Sequence, residues 1–190
     1  MRVKKNKSLL KGRRIVGISG NARCGKDTAF LAIKEIFEEN SIERVAFADA
    51  LKEECLEFLQ KHTGLSTFTS VDREKEMIRP FLVAYGTNIR RELDPNCWIK
   101  SIEGKIDKDK STDLFVVTDT RYINEAEWIK SRGGMLIHIN RDGINPANKE
   151  EEFNSPKLAS SADITIDMPT FKNEYRKKCK DIIKKQLENL

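Results

Sequence analysis

The stretch Arg14–Asn40, "RIVGISGNARCGKDTAFLAIKEIFEEN", decides the fold. Its first part, Arg14 to Ser19, is short, apolar and β-rich, as a buried strand requires. Its last part places Phe30, Ile33, Ile36 and Phe37 on one face of a helix. Between them run Gly20, Asn21, Ala22, Arg23, Cys24, Gly25 and Lys26, the spacing G-x-x-x-x-G-K of a phosphate-binding loop. Gly20 and Gly25 permit backbone angles that turn the loop's N–H groups, those of Ala22 and Cys24 included, toward phosphate oxygens. The following helix adds its positive N-terminal end, and Lys26 reaches for the β- and γ-phosphates.

The residue after the lysine is normally Ser or Thr, whose hydroxyl ligates Mg²⁺. Here it is Asp27, and Thr28 comes one place late. A carboxylate beside a triphosphate is repelled unless a cation lies between them. Asp27 therefore suits a site that carries Mg²⁺, a cation that prefers oxygen ligands. Thr28 can still offer its hydroxyl to a phosphate oxygen. The alternative is that Asp27 only caps the helix. Oxidation of Cys24 would block the loop; a small side chain tolerated at a variable position is the simpler account.

Outward from the loop, short apolar strands alternate with helices. "ERVAFA", "DLFVVTD", "MLIHIN" and "ADITID" read as further strands. "DALKEECLEFLQKH", "REKEMIRPFLVAYGTNIRREL", "NEAEWIKSRGG" and "FKNEYRKKCKDIIKKQLENL" read as helices, and "DPNCWIKSIEGKI" starts one at Asp-Pro. In the second of these Met77, Phe81, Tyr85 and Ile89 recur every fourth residue, and Pro80 is expected in a first turn or at a kink. This alternation predicts an α/β fold: a three-layer P-loop NTPase with a parallel five-stranded sheet and helices on both faces. In such folds ligands gather at the carboxyl ends of the strands.

The 190 residues suit a single domain over 14–190 behind a flexible basic arm, residues 1–13. Charged residues make up 34% and no apolar run is long enough for a membrane span, so no membrane partner is expected. The N-terminal stretch has only "SLL" as an apolar part, too little for a secretory signal. The net charge of +5 sits mostly at the termini and asks for no specific nucleic acid. Cys24, Cys55, Cys97 and Cys179 are scattered, with only His62 and His138 to join them. That excludes a structural zinc site of the usual spacing and suits free thiols in a reducing cytoplasm.

Chemistry is sought after each strand. Asp49 follows the second strand and opens a helix, where it either caps or contacts an acceptor; Lys52, a turn later, can pair with it. Asp119 follows the third strand, as an acid that orders Mg²⁺ would. Arg121 comes two residues later. Alternatively Asp119 or Thr120 caps the next helix, and Asn124 and Glu125 are ordinary first-turn residues. Arg79, Arg90 and Arg91 flank "FLVAYGTNI", and arginine grips phosphate with a forked pair of hydrogen bonds. Arg141 opens "RDGINPANKEEEFNSPKLASS", a polar stretch over about 141–161 that reads either as a lid or as a surface loop.

"GNARCGKDT", "FADALK", "YGTNIRRELDPNCWIK" and "VVTDTRYINEAEWIKSRGGMLIHINRDG" occur in the order found in phage-type deoxynucleoside monophosphate kinases. The chain resembles that family from about Gly17 to Arg141, and more loosely through "ADITID" to its end. An Asp after the loop lysine is normal there. The resemblance implies that Lys26, Thr28 and Arg141 serve the donor ATP. It implies that Asp49, Arg91, Asp119 and Arg121, with Arg79, are acceptor-site or metal-site residues; from the residues themselves, Lys52 joins Asp49 on the acceptor side and Asp27 joins Asp119 as a residue for Mg²⁺. Helices over about 49–102 would cover the acceptor. The chain departs from the family at Asp167, where Asn is common, and in the lid segment. The implied activity is transfer of the ATP γ-phosphate to a nucleoside monophosphate in the cytoplasm; a homodimer stays open. Rivals are a P-loop kinase for another small acceptor, such as dephospho-coenzyme A, and a non-enzymatic nucleic-acid-associated protein.

Overall fold

The computed structural model describes residues 14–37, 41–169 and 180–185. The expected basic arm and most of the expected closing helix, Cys179 included, lie outside the described residues. Residues 180–185 are helical.

The described chain divides into two compact units, one built from residues up to 45 and from 109 onward, the other from residues 46–108. The first unit holds all five strands: β1 Ile15–Ser19, β2 Ile42–Val45, β3 Leu114–Thr120, β4 Met135–Arg141 and β5 Ile164–Met168. They form one sheet in the order β2-β3-β1-β4-β5, with every pairing parallel. The P-loop fold class with a parallel five-stranded sheet is therefore present as the sequence predicts.

Helices cover both faces because successive side chains of a strand point opposite ways. Val16, Ile18, Val116, Ile137 and Ile139 pack against Ala29, Ala32 and Ile33 of helix α1, Lys26–Ile36, together with Ile183. Leu136, next to Ile137, faces the other way and packs with Ala126 and Leu158. Those two residues belong to α5, Ile123–Ser131, and α6, Lys149–Ser161. Burial on both faces explains why the central strands read as continuous apolar runs.

The second unit is helical: α2 Phe47–Thr63, α3 Asp72–Tyr85 and α4 Cys97–Lys108, with a π-helical turn at Gly86–Arg91 after α3. Its small core contains Cys55, Leu59 and Ile78, with Leu51, Leu65, Leu82 and Tyr85 packed against them. Several expectations are corrected here. The second strand stops at Val45, and α2 starts at Phe47 with Ala46 as its N-cap, so Asp49 lies inside the first turn and is not the N-cap residue. Pro80 lies well inside α3. Of the residues spaced every fourth position there, Met77, Phe81 and Ile89 are exposed, and Ile78 is the buried one. Phe58 of α2 is exposed too and stacks on Phe81 with ring centroids 5.7 Å apart.

Candidate active site at the phosphate loop

The loop between β1 and α1 has the backbone a phosphate loop needs. Gly20 has φ 132° and Gly25 φ 112°, values that L side chains rarely adopt. Arg23 has φ 66°, the only positive φ at a non-glycine among the described residues. At Gly20 there is also no room: a Cβ would lie 2.4 Å from the Ile139 carbonyl oxygen of β4 and 2.7 Å from Cys24 Sγ. Gly25 is the N-cap of α1 and no side chain caps that helix. Asp27 is thus not the N-cap residue, and what remains of the capping alternative is its charge in the first turn. Asp27 stands in the first turn with its side chain 87% exposed, and Arg44 Nε lies 4.0 Å from its carboxylate.

Lys26 turns back over the loop. Its Nζ donates to the carbonyl oxygens of Gly20 and Asn21, both at 2.8 Å. The ammonium is thus held at the loop's centre. Cys24 is buried, and burial raises its thiol pKa even though Lys26 works the other way. A buried, protonated thiol is a poor target for oxidation, so the packing account of Cys24 is the better one.

Beneath the loop, β1 ends in a buried polar pair. Ser19 Oγ lies 3.0 Å from His138 Nδ1 of β4. Burial, and next Lys26, push the His138 pKa down, while Asp167 pulls it up. The sequence weighs His138 as a metal partner for the cysteines, and its place in this buried pair went unread.

The strand beside β1 carries the second acid. Asp119 lies inside β3, one residue before its end, and not beyond it. Gly17 pairs with Val117 and Ser19 with Thr120, so β3 carries one more residue than β1 over this stretch. Such bulges occur next to active sites, where they re-aim a side chain. Neither Asp119 nor Thr120 is the N-cap residue of α5; that residue is Tyr122. Glu125, 1% exposed, closes the helix start: one carboxylate oxygen accepts the N–H of Arg121 at 2.8 Å and of Tyr122 at 3.1 Å. It is no ordinary first-turn residue, because it fixes the backbone that presents Arg121. The Arg121 side chain is half exposed, and its Nη1 lies 3.9 Å from Glu151 Oε1.

Arg141 is the last residue of β4 and donates to the Arg23 carbonyl at 3.2 Å. The polar stretch after it is helical from Lys149 to Ser161. Asn148 caps this helix by accepting the Glu151 N–H at 2.9 Å, and three glutamates in its first turn favour the positive helix end. Glu151 is buried although it reads as a solvated acid.

In the helical unit, Asp49 and Lys52 pair as expected, at 3.5 Å. Arg79 is exposed on α3. The π-helical turn carries Arg90 and Arg91. Arg91 Nη1 lies 3.4 Å from the Pro95 carbonyl. Arg90 sits 3.2 Å from Glu54 and over the Trp98 ring. Tyr85 donates its hydroxyl to the same glutamate, which raises the Tyr85 pKa.

A family model described as phosphomevalonate kinase matches residues 18–134, more than half of the chain. The chain belongs to the phosphomevalonate kinase family. This member of that family is a kinase of the P-loop type, and the matched family is not the one its motifs resemble. Among solved structures, its chain is similar to shikimate kinase from Aquifex aeolicus vf5, at 17% identity and a TM-score of 0.48, covering 92% of this chain and 96% of that one. It is similar also to a shikimate kinase from Acinetobacter baumannii in complex with shikimate, at 12% identity and a TM-score of 0.44, covering 95% and 96%. No curated protein matches the chain.

Kinases of this type use ATP with Mg²⁺. The groups beside the loop are carboxylate and hydroxyl oxygens, and the thiol there is buried, so the donor set fits a hard cation. Among the described residues no three His, Cys, Asp or Glu side chains form a ready-made metal cluster. No described helix is long and apolar enough to cross a membrane.

Proposed function

We propose that the protein transfers the γ-phosphoryl group of ATP to the phosphate of a deoxynucleoside monophosphate, giving ADP and the diphosphate. The observation that carries the donor half of this reading is the glycine-shaped loop with Lys26 held at its centre, and the choice of acceptor rests on the motifs quoted above. Phosphoryl transfer asks a protein for in-line positioning and charge neutralisation more than for covalent help. The loop's remaining amides and Lys26 bind the donor phosphates; of the amides expected to do so, that of Ala22 is instead held by Glu151 at 3.0 Å and that of Cys24 by the Asn21 carbonyl at 3.2 Å. Asp27 and Asp119 are the residues to hold Mg²⁺, which neutralises charge between the phosphates when bound. Arg121, presented by Glu125, grips acceptor phosphate, and Arg141 serves the donor side. Asp49, Lys52, Arg79 and Arg91 are the acceptor-recognition residues of the motifs quoted above. No general base is needed, because a monophosphate oxygen is already ionised at neutral pH.

The family match favours a second acceptor, phosphomevalonate, which is likewise a phosphate monoester. Both readings share donor chemistry and differ only in acceptor. ADP release measured with each common (d)NMP and with phosphomevalonate separates them. Turnover with one or more deoxynucleotides, and little with phosphomevalonate, is expected. Release with phosphomevalonate alone removes the nucleotide acceptor, and release with neither class removes both.

A further inference from the structure

Glu151 stands at the start of α6, and nothing in the phosphoryl-transfer reading uses it. The residue is 7% exposed. Its Oε2 accepts two backbone N–H groups at 3.0 Å, one from Ala147 and one from Ala22 of the phosphate loop. The first contact closes its own helix end, which Asn148 already caps. The second reaches 129 positions along the chain and adds nothing to helix capping.

The neighbouring loop residues are tied to the same segment. Asn21 Nδ2 lies 3.4 Å from the Ile144 carbonyl, and Arg141 Nη1 lies 3.2 Å from the Arg23 carbonyl. Asn21, Ala22 and Arg23 are thus each joined to the chain between Arg141 and Glu151. Arg23 itself sits in the left-handed region, a conformation that a side-chain-bearing residue keeps only when its surroundings impose it. Of the three ties, the one to Glu151 is the shortest.

We propose that Glu151 is a positioning residue of the donor site: its carboxylate anchors the Ala22 N–H and so holds the phosphate loop in the shape that offers its other amides to a nucleotide. The proposal rests on the reading that this loop binds nucleotide phosphates. It assigns the work to the reach of the carboxylate oxygen. The competing account is charge, through Arg121 at 3.9 Å.

Three variants separate the two. Glu151→Gln keeps an oxygen at the same reach and drops the charge. Glu151→Asp keeps the charge and is one methylene too short. Glu151→Ala removes both. The readouts are ADP affinity with Mg²⁺ by calorimetry, and thermal midpoint without nucleotide. Loss of a hydrogen bond to a charged group predicts that E151D and E151A bind ADP about tenfold more weakly, with E151Q within about threefold of wild type. E151D within threefold of wild type overturns the proposal. E151Q binding more weakly than E151D also overturns it, and gives the role to the charge facing Arg121. If E151A does not fold, the order of Gln and Asp decides alone. Wild-type protein that binds no ADP refutes the nucleotide loop itself, a failure visible before any variant is made.

Discussion

Replacing Gly20 by Ala tests whether the loop's first glycine is imposed by its surroundings or only by habit of the motif. The added Cβ meets the carbonyl oxygen of Ile139 at 2.4 Å, and that atom belongs to the middle of β4. A flexible side-chain tip could swing aside; a strand backbone hydrogen-bonded within the sheet cannot. The φ of 132° adds strain of its own. Backbone strain of ~1–3 kcal/mol and overpacking of ~1–3 kcal/mol together give a loss of about 2–6 kcal/mol. At ~2–4 °C per kcal/mol for a chain of this size, the midpoint falls by on the order of 10 °C. Differential scanning calorimetry reads that fall, and ADP titration of the folded variant reads the displaced loop. A Gly20→Ala protein that melts within about 1 °C of wild type and binds ADP unchanged refutes the argument from close approach.

Lys26→Ala leaves the sheet intact and removes the cation held over the loop, so turnover falls by ~10²–10³ with the far-ultraviolet dichroism unchanged; a folded variant with normal turnover removes the phosphate-loop assignment. Asp27→Ala raises the Mg²⁺ concentration needed for half-maximal rate while the midpoint without nucleotide barely moves, since Asp27 is exposed and is not the N-cap residue; a fall of about 1 kcal/mol in stability with an unmoved Mg²⁺ titration gives it a structural role instead. His138, whose pKa burial depresses, predicts a pH dependence. The unfolded chain takes up this proton below about pH 6.5 and the folded protein resists it, so stability is full above that pH and is lost as the pH falls from there toward the lower folded pKa. His138→Gln flattens that part of the profile, and identical slopes for variant and wild type between pH 8 and the acid limb count against the buried neutral histidine.

The parts of the fold that were legible in the sequence are those whose signals are local. The run from Arg14 to Phe37 changes period from strand to helix across a loop with fixed glycines, and each of those features is a property of neighbouring residues. Sheet pairing is not local, yet the alternation of short apolar strands with helices left few arrangements open. The α3 face was misread because two stripes, Met77-Phe81-Tyr85 and Ile78-Leu82-Tyr85, fit one helical period almost equally. Only packing against Cys55 and Leu59 of α2 selects the second. The start of α2 was misplaced because an apolar Phe47 continues a strand pattern as readily as it begins a helix.

The site was legible in its cations and its glycines, and illegible in what holds them. Glu125 and Glu151 share one position: each is the third residue of its helix, after the N-caps Tyr122 and Asn148. A glutamate there can turn back to receive backbone N–H groups at the helix start, the capping-box arrangement. Asn148-x-x-Glu151 carries that signature in the sequence, and a search for it would have turned Glu151 back toward the N–H of Asn148, whereas the N–H it receives at the helix start is that of Ala147, one place earlier. It would not have found the bond to Ala22, because a backbone N–H leaves no trace in the residue type that bears it. The same holds for the N–H of Arg121, received by Glu125. Two helix caps thus extend into the site, one fixing the loop and the other the arginine beyond β3. Their acids look like solvated charge in a polar stretch and become distinct only once burial is known, at 1% exposure for Glu125 and 7% for Glu151. A buried carboxylate is costly unless its oxygens are satisfied, so its position marks backbone that must not move. At this loop, that criterion finds the supporting residues which the motif itself omits.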